Sequence, residues 1–325
     1  MFPQIERKSQ NSTRGEQINL NYRKILLRKT SEYTGGRWID KIVFMLLLSG
    51  FFLNLFLLLF FYDAYFNFIE VHVSHYGHIE HPAAAIISLQ IFLVTLLFGW
   101  HAVTKKAGRF KESFSAMSLF HKAFFMAALL MTISYHVFRG NPLYEEDGFF
   151  ETATAILALT SSLILLTWSL KQNKRSGIAA RLALSLMFFL FGMEEISWGQ
   201  RIFSWETPGV LVEFNDQNEL NLHNIINPYL YSVTQSWSLF LSALLIYSEE
   251  LKRGICFSER LREYADIIPP PSFLLYGFLF LFLSLQCAYF GGELTEEIFS
   301  VFGFVYACNQ YVTLRKAAGE RISRN

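Results

Sequence analysis

The sequence predicts an all-α membrane protein: a polytopic bundle of about eight transmembrane helices with cytoplasmic amino and carboxyl termini. Composition is the first ground for this. Of 325 residues 52% are apolar and 17% aromatic, 34 of them Phe, and the mean hydropathy is +0.29, unlike a soluble domain of this size. The second ground is periodic hydropathy. Apolar runs lie at about 40–62, 83–104, 119–138, 149–170, 181–202, 228–248, 272–291 and 294–313, each near the ~20 residues that cross a bilayer as helix. The third is charge segregation. With the amino terminus inside, 26 of the 28 Lys and Arg fall on cytoplasmic segments or at an inner helix start, leaving Arg139 and Arg201 outside. That asymmetry sets an even helix count and the orientation.

Residues 1–38 carry Arg7, Lys8, Arg14, Arg23, Lys24, Arg28, Lys29 and Arg37 among Asn, Ser and Gln. They read as a basic cytoplasmic arm on anionic headgroups. Aromatic interleaving is thin, so no nucleic-acid partner is expected. No short apolar run ends there at a small-residue cleavage site, so no cleavable signal is expected. Residues 39–314 form the transmembrane domain, with a polar outer loop at 203–227, and 315–325 form a basic cytoplasmic tail. The last two runs are separated only by Gly291 and Gly292, which requires a tight outer hairpin. Cys256, Cys287 and Cys308 lack CxxC spacing and predict neither a disulfide framework nor a zinc ribbon.

Acids gather where the bases do not. Glu145, Glu146 and Asp147 precede the run that begins near Glu151; Glu194 and Glu195 lie within the fifth; Glu293, Glu296 and Glu297 open the eighth. An unpartnered ionised carboxylate at such depth costs several kcal/mol, so these groups should be paired, protonated or metal-bound. On one continuous helix over 181–202, Glu194, Ser197, Trp198 and Arg201 share a face, and Arg201 can neutralise a carboxylate from the preceding turns. The bland alternative is a structural ion pair. Glu151 and the Glu293 group equally suit helix amino-terminal capping. Three carboxylates at i, i+3 and i+4 also suit a divalent cation.

The 203–227 loop carries Asn215, Gln217, Glu219, Asn221, His223 and Asn224, polar side chains fit to fold over a cavity or simply to be solvated. Thr207-Pro208 looks like a helix start, and Pro228 opens the sixth run. His72, His75, His78 and His81 recur every third residue, in an interfacial segment or as paired metal ligands. His136 reads as a packing residue. The inner halves of the runs show no polar residues to match the outer acids, which argues against a continuous transport path.

The stretch Glu194-Glu195-Ile196-Ser197-Trp198-Gly199-Gln200-Arg201, with Asn221-Leu222-His223-Asn224 downstream, resembles a family of uncharacterised bacterial multi-pass membrane proteins sharing an EEISWGQR-type helix end and an NLHN-type loop. Glu146-Asp147-Gly148 with Glu151, and Glu293 with Glu296-Glu297, are similar to further motifs of that family. The resemblance covers roughly residues 140 to 300. It implies that these residues act as a unit and specifies no chemistry.

The residues themselves suggest a membrane-embedded enzyme, a hydrolase or transferase, acting on a lipid-linked substrate. Glu194 and Glu195 would be the acid/base pair, with Arg201 orienting and His223 a second proton carrier. Glu151, Trp198, Gln200, Asn215, Gln217, Glu219, Asn221 and Asn224 would contact substrate. A divalent metal would sit at Glu293, Glu296 and Glu297. Alternatives are a proton- or cation-coupled transporter and a non-catalytic envelope scaffold.

Overall fold

The computed structural model describes residues 82–137, 148–170, 178–207, 209, 227–256, 261, 264–290 and 293–322. The basic arm, the first apolar run, the four-histidine segment, Glu145 to Asp147, and the loop residues Asn215, Gln217, Glu219, Asn221, His223 and Asn224 lie outside these. Among the described residues regular structure is entirely helical. Ten helices are α1 (Pro82–Lys106), α2 (Phe110–Ala116), α3 (Leu119–Val137), α4 (Phe149–Leu170), α5 (Ile178–Glu195), α6 (Gln200–Phe203), α7 (Asn227–Ile246), α8 (Ser248–Cys256), α9 (Leu274–Phe290) and α10 (Glu293–Ile322).

Seven of the eight apolar runs are therefore helical over nearly their expected lengths. Two stretches, Ile87–Ala116 and Phe149–Leu170, are long and apolar enough to cross a membrane. Large apolar side chains stay uncovered on them, including Leu97, Trp100, Ile156 and Leu163.

Pair contacts fix the helix directions. Ser162 meets Ser185, and Trp168 lies under Arg181, so α4 and α5 are antiparallel. Phe188 and Phe191 pack on Phe299, and a Cβ on Gly303 would come within 2.2 Å of Phe188, so α5 also opposes α10 at close range. Along α9 and α10, Phe273 meets Tyr306 and Cys287 meets Thr295. This is the antiparallel hairpin expected across Gly291 and Gly292, its axes held apart by Phe and Tyr side chains. Thr95 and Ser284 pair α1 against α9, whereas Ser88–Gln235 on α7 and Lys106–Glu250 on α8, which follows it, advance together, so α1 and α7 run parallel. Phe125 on Tyr276 and His136 on Phe282 set α3 parallel to α9.

Successive long helices thus alternate. The amino end of α4, the carboxyl end of α5 and the amino end of α10 share one end of the bundle. Lys106, Arg109, Arg181, Glu249 and Glu250 share the other.

One helix end and one side chain here differ from the sequence expectation. The last helix does not stop near 313 but continues to Ile322, through Leu-Arg-Lys-Ala-Ala; these are strong helix formers whose polarity hides them from a hydropathy scan. Arg181, counted among the cytoplasmic bases, is 2% exposed with its guanidinium 5.0 Å from the Trp168 ring centroid.

Candidate functional site

The helix expected over 181–202 ends at Glu195. Ile196 leaves helical geometry, and Ser197, Trp198 and Gly199 then adopt φ of 46°, 55° and 84° before α6 starts at Gln200. The shared face of Glu194, Ser197, Trp198 and Arg201 therefore does not exist, because three left-handed residues reverse the winding between its members. Left-handed geometry brings Cβ against the following carbonyl at roughly 1–2 kcal/mol per non-glycine residue. Ser197 and Trp198 together thus store about 2–4 kcal/mol, while Gly199 takes the position without that clash. Ser204 (φ 51°) is the remaining non-glycine residue of positive φ among those described. Every described backbone outlier falls inside this one motif, and such strain persists only where surrounding packing imposes it.

Local bonds hold the turn. The Gly199 amide donates to the Ile196 carbonyl at 2.8 Å, and the Trp205 amide to the Gln200 carbonyl at 3.2 Å. Trp198 Nε1 donates to Glu194 Oε1 at 2.6 Å, so the indole, reached through the turn, is one partner of this carboxylate. Gln200 Nε2 donates to Thr207 Oγ1 at 2.7 Å, tying the start of α6 to the chain after Ser204. Glu195 and Ser197 are buried.

The carriers of the other acids pack against α5, the helix that leads into this segment. Helix α4, bearing Glu151, has its most extensive contacts with α5 and α10, and α10 carries Glu293, Glu296 and Glu297. Glu297 is 7% exposed, and its Oε2 meets no hydrogen-bond donor. Glu151, Glu194, Glu195, Glu293 and Glu296 each keep an interaction. Among the described residues no three His, Cys, Asp or Glu side chains gather so as to hold a metal ion. His136 packs between the Tyr135 and Phe282 rings, as a core histidine does.

Sequence reasoning missed a second polar region. Ser88 Oγ donates to Gln235 Oε1 at 2.9 Å, Ser284 Oγ donates to the Gln235 carbonyl at 3.0 Å, and Thr95 Oγ1 lies 3.1 Å from Ser284 Oγ. Ser238 and Ser242 continue it toward the other end of α7 and are fully buried. Ser88, Gln235 and Ser284 lie in the halves of their helices nearer the acid-bearing end, and Ser242 lies in the farther half of α7. Single Ser and Thr residues scattered on three apolar helices leave no run to notice; their spacing of 3, 4 and 7 along α7 was the available signal.

The opposite end is conventionally paired. Arg109 donates both terminal nitrogens to Glu249 at 2.6 and 2.7 Å, Lys106 reaches Glu250 at 2.6 Å, and Arg253 lies within 3.7 Å of both acids. The bond from Arg109 holds the Glu249 carboxyl below its ordinary value, and Glu249 in turn raises Arg109. A cavity of about 140 Å³ opens here between Arg109, Ser113, Glu249 and Pro271. None of the acids named from the sequence as site residues borders it.

No protein-family model, curated protein or solved structure matches this chain.

Proposed function

We propose that this chain is a bacterial inner-membrane protein of eight spans with both termini cytoplasmic, belonging to the EEISWGQR-type family that it resembles. In this reading the acid-bearing end of α4, α5 and α10 is the site of a membrane-embedded hydrolase or transferase acting on a lipid-linked substrate. The observation that carries it is the left-handed turn at Ser197 to Gly199, set directly after buried Glu195 and tied back to Glu194 by Trp198. A capping cluster needs no such strain, since an ordinary helix end would serve. Uncovered apolar side chains on α1 and α4 support lipid contact. Glu194 and Glu195 act as the acid/base pair, Arg201 and His223 assist from α6 and the following loop, and Trp198, Gln200 and Glu151 contact substrate. The chemistry is proton transfer by these side chains, with no step assigned to a metal.

Glu194→Gln and Glu195→Gln, made separately in the full chain, test this. Normal insertion with an altered cellular lipid profile is expected. Normal insertion with unchanged lipids would overturn the enzyme reading. A proton- or cation-coupled transporter is the second reading, favoured by the buried Ser88–Gln235–Ser284 network, and solute or ion uptake into proteoliposomes would put it first.

A further inference from the structure

The cavity at the paired end is walled by α2, the turn before it, the junction of α7 with α8, and the start of α9. Ala116, Leu245 and Leu274 make part of that wall apolar, while Arg109, Glu112, Ser113, Ser248 and Glu249 bring polar groups to it. Its volume of about 140 Å³ approaches the ~150 Å³ that admits benzene in an apolar cavity. An ammonium with a two-carbon linker fits such a space.

The polar wall is rich in acceptors. Ser248 is 3% exposed, and among the described residues its hydroxyl has no hydrogen-bond partner. Ser113 gives its proton to the Pro271 carbonyl at 3.0 Å, which leaves its own oxygen able to accept. Glu249 keeps lone pairs beyond those that Arg109 fills, and Glu112 stands 3.8 Å from Arg109 Nε, outside hydrogen-bond range. The wall therefore sets one base against two acids. Just outside it Lys106 and Arg253 restore the balance: both meet Glu250, and Arg253 also lies 3.6 Å from Glu249. A lone cation or anion would upset this even cluster, whereas a zwitterion would match it by placing its cation inside and its anion outside.

We propose that this cavity binds a phosphoethanolamine group, its ammonium inside against Glu112, Glu249, Ser113 and Ser248 and its phosphate at the mouth beside Arg253. A primary ammonium has three N–H donors for these acceptors; the trimethylated ammonium of choline has none. In the topology proposed above this end borders the cytoplasmic leaflet, so a phospholipid headgroup or soluble phosphoethanolamine can supply the group. The site shares no residue with the acid-bearing end and does not depend on that end being catalytic.

Lipid retention by the full chain in detergent, measured by native mass spectrometry with equal amounts of a phosphatidylethanolamine and a phosphatidylcholine, tests this. One retained phosphatidylethanolamine is expected, preferred about tenfold over phosphatidylcholine, the scale of one hydrogen bond to a charged group. Glu112→Gln, on an exposed side chain, and Ser248→Ala should each cut that preference by about threefold or more. Displacement of the lipid by soluble phosphoethanolamine makes the headgroup sufficient, and failure to displace assigns the site to the lipid. Equal retention of the two lipids, or a preference that neither variant moves, overturns the proposal.

Discussion

The two ends of the bundle handle charge in opposite ways. At one, Lys106, Glu249, Glu250 and Arg253 sit on α-helix and Arg109 on the 3-10 turn Ala107–Arg109, and together they close into ion pairs. At the other, Glu194 is met by an indole through a left-handed turn, and Glu297 keeps one buried oxygen without a donor. Partly exposed ion pairs are worth little and need no special backbone. Strain and an unsatisfied carboxylate both lower stability, so their coincidence at one end marks that end as shaped for something other than stability.

Gly303 offers the strongest way to break the contrast. Gly303→Leu drives a side chain into Phe188 where even a Cβ has 2.2 Å, separating α10 from α5. We expect loss of folded protein in detergent by size-exclusion chromatography, with Gly303→Ala destabilised by about 1–3 kcal/mol. Next is Glu297→Leu, which removes a buried carboxylate with an unpartnered oxygen. Thermal unfolding should show stabilisation of about 1 kcal/mol or more, and destabilisation would mean that Glu297 holds structure instead.

Ser197→Gly should stabilise by roughly 1 kcal/mol, because φ of 46° no longer presses a Cβ on the backbone. If strain serves the site, cellular lipid changes follow those of Glu195→Gln despite the gain. The smallest effect is expected at the paired end, where Arg109→Ala should cost no more than about 1 kcal/mol and lose even that in high salt. Because the folded Glu249 carboxyl lies below its ordinary value of 4.5, its contribution is complete above that pH and fades as pH falls through the depressed value. Acid titration of stability should lose this component in Arg109→Ala.

Apolar runs were legible because hydropathy decides where a long helix can lie, and Phe149–Leu170 matches its expected run at both ends. The break after Glu195 was not. Ile196, Ser197 and Trp198 carry no mark of left-handed backbone, and only Gly199 offered a helix-stop signal. Arg181 misled for another reason: counting bases by side says nothing about whether a guanidinium turns inward onto an indole. Proximity of α4, α5 and α10 was equally hidden, since similar apolar helices do not announce their neighbours. The narrow contact of Gly303 with Phe188 is what singles out the α5–α10 pair.

Helix α10 runs unbroken for 30 residues, about 45 Å at 1.5 Å per residue, which exceeds the ~30 Å hydrocarbon layer. Its first-turn carboxylates and its basic final turns are therefore parts of one stiff rod. A push or twist applied at Arg315 or Lys316 travels to Glu297 without a joint to absorb it.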